Sequence, residues 1–395
     1  MAIPKALAIG VRATAFELDK REDAATNIRR IVCERVDMAV DCLSAAKGRA
    51  EGESVHTARK RFKEIRAALR LIRDAVDGDL FRKENRTYRD AARPLSEIRD
   101  SRALIEALDS LVKHFGDELK SGAFADVRKI LTRQARACRK KVVVEQGALR
   151  EVQRSVRRAR KRIERWPLEG LTFPTFVGGI AETYRAGRRQ MSIANDLGTD
   201  ESHHEWRKQV KYLRHQSEIL CPLWPEAMRL LVDEAHELAD LLGDDHDLAV
   251  MKQVLTHELH DEIAGHERKA LLGLIAERRA TLQKRAKRAR PQALRGQAEG
   301  FSPARERVPR RVGVRRASPR PSRSASIPAR ALRVSDRLAR IEALFADPPT
   351  GRRVDEGGNE IRVNRVTIAQ KCAKRGRCAD RWQPSPPLLS RCSVR

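Results

Sequence analysis

Two segments of the chain carry one cationic pattern: His56-x-x-Arg59-Lys60-x-x-Lys63-x-x-Arg66 and His204-x-x-Arg207-Lys208-x-x-Lys211-x-x-Arg214, with corresponding residues 148 apart (204 less 56). Arg offers a planar fork that can take two phosphate oxygens, and Lys a mobile point charge. His titrates nearest to neutral pH and donates to an anion when protonated. A series of this kind serves electrostatic binding of a densely charged anion rather than bond-breaking chemistry. We expect affinity for such an anion to rise as pH falls through the His range.

The spacing requires a helix to position these groups. At about 100° per residue, with the His at zero, the Arg and Lys side chains fall at roughly −60°, +40°, −20° and −80°. Arg70 adds a further cation at about −40° in the first copy. The opposite faces are apolar, with Ala58, Phe62, Ile65 and Leu69 in one copy and Trp206, Val210 and Leu213 in the other. Each helix thus presents one side to a core and the other to an anion.

A second pair of segments repeats at nearly the same interval. Leu95-Ser96-Glu97-Ile98-Arg99-Asp100 resembles Leu242-Gly243-Asp244-Asp245-His246-Asp247, offset by 147 (247 less 100). Two segments sharing one offset mark an internal duplication. The expected fold is therefore all-α: duplicated helical bundles with pseudo-twofold symmetry around a basic groove. Aromatic residues are only 4% of the chain and β-branched alternation is nearly absent, which argues against sheet. Helices are expected over about 22–47, 54–76, 80–97, 100–115, 122–145, 148–165, 174–195, 201–220, 225–243, 246–260 and 266–288. The expected breaks fall at Asp77-Gly78-Asp79, Gly147, Pro167, Gly170, Pro222 and Gly243.

The organisation along the chain reads as an N-terminal extension (1–21), a helical domain (22–288, halves about 22–165 and 174–288) and an Arg/Pro/Ser-rich tail (289–395). The formal net charge of +28 implies a polyanionic partner: nucleic acid, anionic membrane or polyphosphate. Much of that charge lies in the tail, where residues 291–395 hold 24 basic and 9 acidic side chains and 11 of the 17 prolines. Such a composition predicts disorder, with one isolated amphipathic helix at 338–345 and weak nucleic-acid binding as a further expectation. The abrupt change also fits translation in a shifted frame. The seven cysteines are an odd number without CxxC spacing, so neither a disulfide framework nor a zinc site is expected, and a reducing cytoplasm fits. Residues 6–16 are too short and too polar for a secretory core, and no later run approaches about 18 apolar residues, so no membrane insertion is expected.

Other residues are candidates of a second rank. Arg185, Arg188 and Arg189 share one side of another helix and are expected to join the basic surface. Arg82, Arg86, Arg89 and Arg93 form a stripe read as a solvated or partly groove-facing edge. Asp244-Asp245-His246-Asp247 is read as a helix cap following Gly243, not as a metal site. His257 and His260 are at helical spacing but lack a zinc-protease pattern, and are read as surface. No nucleophile-base pair, phosphate loop or catalytic carboxylate pair emerges, so the chain is read as a non-enzyme without cofactors.

At these motifs the sequence resembles the CHAD family, the conserved-histidine α-helical domain. The resemblance rests on the two cationic helices, the Leu-x-x-x-Arg-Asp and Leu-Leu-Gly-Asp-x-His-Asp-Leu-Ala-Val segments after them, and Gly178-Gly179-Ile180-x-x-x-Tyr184-Arg185-x-x-Arg188-Arg189. It covers roughly residues 22–288. The resemblance implies a basic centre that binds inorganic polyphosphate, and association with polyphosphate or storage granules. Some members carry a preceding triphosphate tunnel domain with a Glu-x-Glu-x-Lys motif; none is seen here, so a stand-alone domain is expected. The tail departs from the family, whose domain continues with more helix there. Competing expectations are a basic helical nucleic-acid binder and, with less support, a phosphohydrolase.

Overall fold

The computed structural model of the chain describes residues 16–46 and 51–289. Most of the N-terminal extension, the tail and the expected helix at 338–345 lie outside the described residues. Nine α-helices occur among the described residues, and no strand: α1 (Ala24–Ser44), α2 (Glu51–Leu71), α3 (Gly78–His114), α4 (Ala125–Arg139), α5 (Ala148–Ile163), α6 (Phe173–Leu197), α7 (Asp200–Leu220), α8 (Pro225–Gln253) and α9 (Gly265–Arg288). The order α1–α4 is echoed by α6–α9. The first half also contains α5, which has no counterpart among the described residues.

Local chemistry sets most of the boundaries. Asp23 accepts from the Thr26 amide to start α1, Asp77 from the Asp79 and Leu80 amides to start α3, and Thr199 from the Ser202 amide to start α7. Gly198, at φ 63°, closes α6 in the left-handed conformation that side chains disfavour. Two expected breaks do not occur. The helices expected at 80–97 and 100–115 are one element, α3, which runs through Pro94. A proline forfeits one backbone hydrogen bond, but Tyr88 and Leu95, both fully buried, anchor the helix on each side of it.

The second correction concerns Gly243 and the Asp244–Asp247 cluster. Here α8 continues unbroken, and Asp245 caps nothing. It is 2% exposed and accepts from Arg279 Nε at 2.9 Å and Gln283 Nε2 at 3.0 Å, both on α9. Tertiary partners for the carboxylate replace the amide groups that a cap would have satisfied. Gly243 is buried beside the Arg207 guanidinium of α7 instead of ending a helix.

The apolar faces expected of α2 and α7 are buried at every named position. The cores nevertheless do not follow the repeat boundary. One joins α1, α2, the first part of α3 and α5 to Phe176, Ile180 and Tyr184 of α6 and to Leu213 and Ile219 of α7. The other joins Leu104, Leu108 and Leu111 of α3 and Val127 and Leu131 of α4 to Trp206, α8 and α9. The long α3 therefore ties both cores together. At the centre α2 and α7 pack directly, and the Gln216 amide donates to the Ala67 carbonyl at 3.3 Å. The α6 backbone comes so close to the end of α2 that a Cβ on Gly179 would overlap the Leu71 carbonyl.

Candidate anion-binding site

Helices α2 and α7 turn their cationic faces toward a common space, walled further by α3 and α8. Lys63 and Lys211 stand at its middle. Lys63 is exposed, and packing of protein around it is nonetheless the largest cause lowering its pKa to about 7, followed by the charges of Arg59 and Arg207. Lys211 is driven well below the ordinary lysine range by the same desolvation, then by Arg207 and Lys63. The two copies thus act on each other across the groove.

Arg59 and Arg207 are equivalent in the repeat and flank the lysines. Desolvation lowers both guanidinium pKa values, and each is opposed by carboxylates: Asp100 foremost for Arg59, Asp247 foremost for Arg207. Arg59 Nη1 donates to Asp100 Oδ1 at 3.5 Å. The Nε–H groups of Arg59 and Arg207 have no hydrogen-bond partner among the described residues. An enclosed donor without an acceptor carries a penalty of about 1–3 kcal/mol, which an anionic oxygen reached by a small side-chain rotation would remove.

The two histidines occupy equivalent places with different neighbours. His56 Nδ1 accepts from Arg99 Nε at 3.2 Å, a contact made by the neutral imidazole. His204 instead lies against His246, ring centroids 4.5 Å apart. Position 246 corresponds to position 99 in the repeat. Desolvation lowers the pKa of His56, followed by the charge of Arg99. It takes His204 down to about 4 and His246 to about 3, with neighbouring cations adding to the effect. In the free protein these surroundings favour the neutral imidazoles.

The remaining cations fall at the margins. Lys60 is exposed, and Lys208 pairs with Glu205 at 2.7 Å. Arg66 Nε and Arg70 Nη1 both donate to Asn85 Oδ1 at 3.0 Å, and Arg70 covers the Tyr212 ring 4.0 Å from its centroid. Arg214 is engaged by Glu218 at 3.0 Å and by His236 at 3.2 Å. Arg185 and Arg189 do not reach the groove as expected; they pair with Glu182 at 3.3 and 2.9 Å, and Arg188 is exposed on the same helix. The reason is the seating of α6, whose Gly187 faces Gln209, roughly 160° around α7 from Lys211.

Arg99, Asp100, His246 and Asp247 belong to this site, although the sequence pattern assigned none of them a binding role. The 147-residue repeat containing Asp100 and Asp247 was the available signal. Arg99 and His246 differ in type, which hides their equivalence. A cleft of about 180 Å³ beside Arg99 and Asp247 opens between α3, α8 and α9. Asp244 and Asp247 both have pKa values raised by desolvation. His257 and His260 are exposed, and no group of acidic, His or Cys side chains suited to a metal ion occurs among the described residues. No described helix is long and apolar enough to cross a membrane.

The CHAD domain pattern matches residues 31–256 of this chain. Among solved structures, the CHAD domain from the plant Ricinus communis is similar at 19% identity and a TM-score of 0.56, covering 71% of this chain and 95% of that one. PptA from Streptomyces chartreusis aligns at 16% identity and a TM-score of 0.49, over 69% of this chain and 100% of that one. Comparison with curated proteins gives no match. At such identities the structural likeness speaks to the fold alone.

Proposed function

Because the chain belongs to the CHAD domain family, we propose that it binds inorganic polyphosphate in the groove between α2 and α7 and does not turn it over. One observation carries this reading: Lys63, Lys211, Arg59 and Arg207 come from two repeats to one groove, where their like charges act on one another. Like charges held in a desolvated wall are relieved by a ligand of high negative charge density. Polyphosphate is such a ligand, with no base or sugar to recognise. Each well-formed charge-assisted hydrogen bond contributes roughly 1.5–3 kcal/mol, offset by the ordering of a flexible chain.

In this reading Lys63, Lys211, Arg59 and Arg207 hold the chain's oxygens, while His56, Arg99, His204 and His246 shape the wall. Lys60, Lys208, Arg66, Arg70 and Arg214 extend the positive field along its path. Stacking on nucleobases finds little support, since the Tyr212 ring is buried beneath Arg70. Association with polyphosphate granules would follow from the same binding. The test is competition: long-chain polyphosphate should displace labelled polyphosphate far better than RNA or DNA at equal phosphate concentration. Equal displacement by nucleic acid would refute the reading, and Mg²⁺-dependent release of phosphate would refute its non-enzymatic part.

A further inference from the structure

A cleft of about 620 Å³ lies away from this groove, between α3 and α5. Lys83, Arg86 and Arg158 line it together with the hydroxyl-bearing Thr87 and Ser155. Helix α5 itself carries seven cationic residues against one acidic one, Glu151. Its solvent side reads Arg154-x-x-Arg157-Arg158-x-x-Lys161, which repeats the spacing of the cations on α2 and α7. Taking Arg154 as zero, Arg150, Arg157, Arg158 and Lys161 fall at roughly −40°, −60°, +40° and −20°, a single stripe about 16 Å long.

These five side chains are exposed, and none has an ion pair among the described residues. The cations on the inner flank of α5 differ in this respect. Arg160 is engaged by Asp37 and Glu164, and Arg162 by buried Glu84. Arg150, Arg154 and Arg158 are like charges at successive i,i+4 positions, which is unfavourable without a counter-ion. Across the cleft, Asp79 is held by Arg82, and Asp90 by Arg89 and Arg93, leaving Glu151, among the described residues, as the one lining carboxylate without an ion pair beside the cations Lys83, Arg86 and Arg158. No aromatic ring lines the cleft, so bases would find nothing to stack on.

We infer that the α3/α5 face is a second binding surface for linear polyphosphate, independent of the groove between α2 and α7. This rests on the proposed polyphosphate reading and extends it, since a protein with two separate surfaces can bridge two chains or two parts of one chain. Bridging of that kind condenses a long polyanion into a network.

The test uses the full chain and short-chain polyphosphate in calorimetric titration, beside an Arg154→Glu/Arg157→Glu/Arg158→Glu variant and a Lys63→Glu/Lys211→Glu variant. Wild type should bind two short chains per protein, and each variant one. Only wild type should cross-link long-chain polyphosphate, read as light scattering. An Arg154→Gln/Arg157→Gln/Arg158→Gln variant guards against misfolding of the charge-reversed protein and should also bind one. One chain bound by wild type with the α5 variants unaffected would overturn the inference while leaving the groove intact. Displacement from this face by RNA and not by polyphosphate would replace the partner with nucleic acid and overturn it as well. No binding at all by wild type would instead reject the underlying functional reading.

Discussion

Proton uptake on ligand binding should reveal Lys63. In the free protein its pKa is lowered to about 7 by desolvation and by Arg59 and Arg207, with Asp100 opposing. A polyanion beside it favours the ammonium and returns the pKa toward the ordinary lysine range. A group whose pKa is raised by the ligand supports binding fully below its free value and loses that support as pH rises toward the bound value. Affinity should therefore fall as pH climbs above about 7. For one such group, linkage gives a loss of about eightfold between roughly pH 7.5 and 8.5. Lys63 is solvent-accessible, and screening weakens its coupling, so a loss of about threefold to eightfold is expected. Lys211, also depressed, adds in the same direction. Calorimetry in buffers of different ionisation enthalpy should show net proton uptake at about pH 8, and Lys63→Arg, which stays charged, should flatten the slope. A flat profile over this window, or an unchanged slope in Lys63→Arg, would refute the reasoning. The histidines contribute little here, because His204 and His246 are held at about 4 and 3.

Three further outcomes are expected. Asp100→Asn with Asp247→Asn removes the carboxylates opposing Arg59 and Arg207, so polyphosphate affinity should rise several-fold and its salt dependence steepen; calorimetry at two ionic strengths reads both. Gly179→Ala should destabilise by about 1–3 kcal/mol through overlap with the Leu71 carbonyl, seen as a lowered Tm at unchanged binding stoichiometry. Asp245→Ala leaves Arg279 on α9 with only Asp200 and takes the acceptor from Gln283 and should cost about 1–3 kcal/mol, with tryptic cleavage in α9 appearing before global unfolding.

The sequence made the two central helices legible because their apolar and cationic faces alternate at helical period and occur twice. The same logic failed where a local signal met a tertiary partner. Gly243 reads as a stop and Asp245 as a cap, but Arg279 and Gln283 take the carboxylate and the helix runs on. Those partners are 34 and 38 residues away, beyond any local pattern. Arg185 and Arg189 share a face in projection, but only the packing of Gly187 on Gln209 decides where that face points. Asp100 and Asp247 were visible as repeat markers, and their role as counter-charges needed the juxtaposition of α3 with α2 and α8 with α7. The stripe on α5 is masked in the sequence because the first two copies begin with His and the third with Arg.

The most direct measurement compares binding of long-chain polyphosphate by the wild-type chain with that by Lys63→Glu/Lys211→Glu, using Arg154→Gln/Arg157→Gln/Arg158→Gln as a background that silences the α5 face. Losing two cations and gaining two anions in the groove should lower affinity by at least a hundredfold, about 2.7 kcal/mol, with the helical signal unchanged. Equal affinity in the two folded proteins would contradict the assignment of the α2/α7 groove as the binding site.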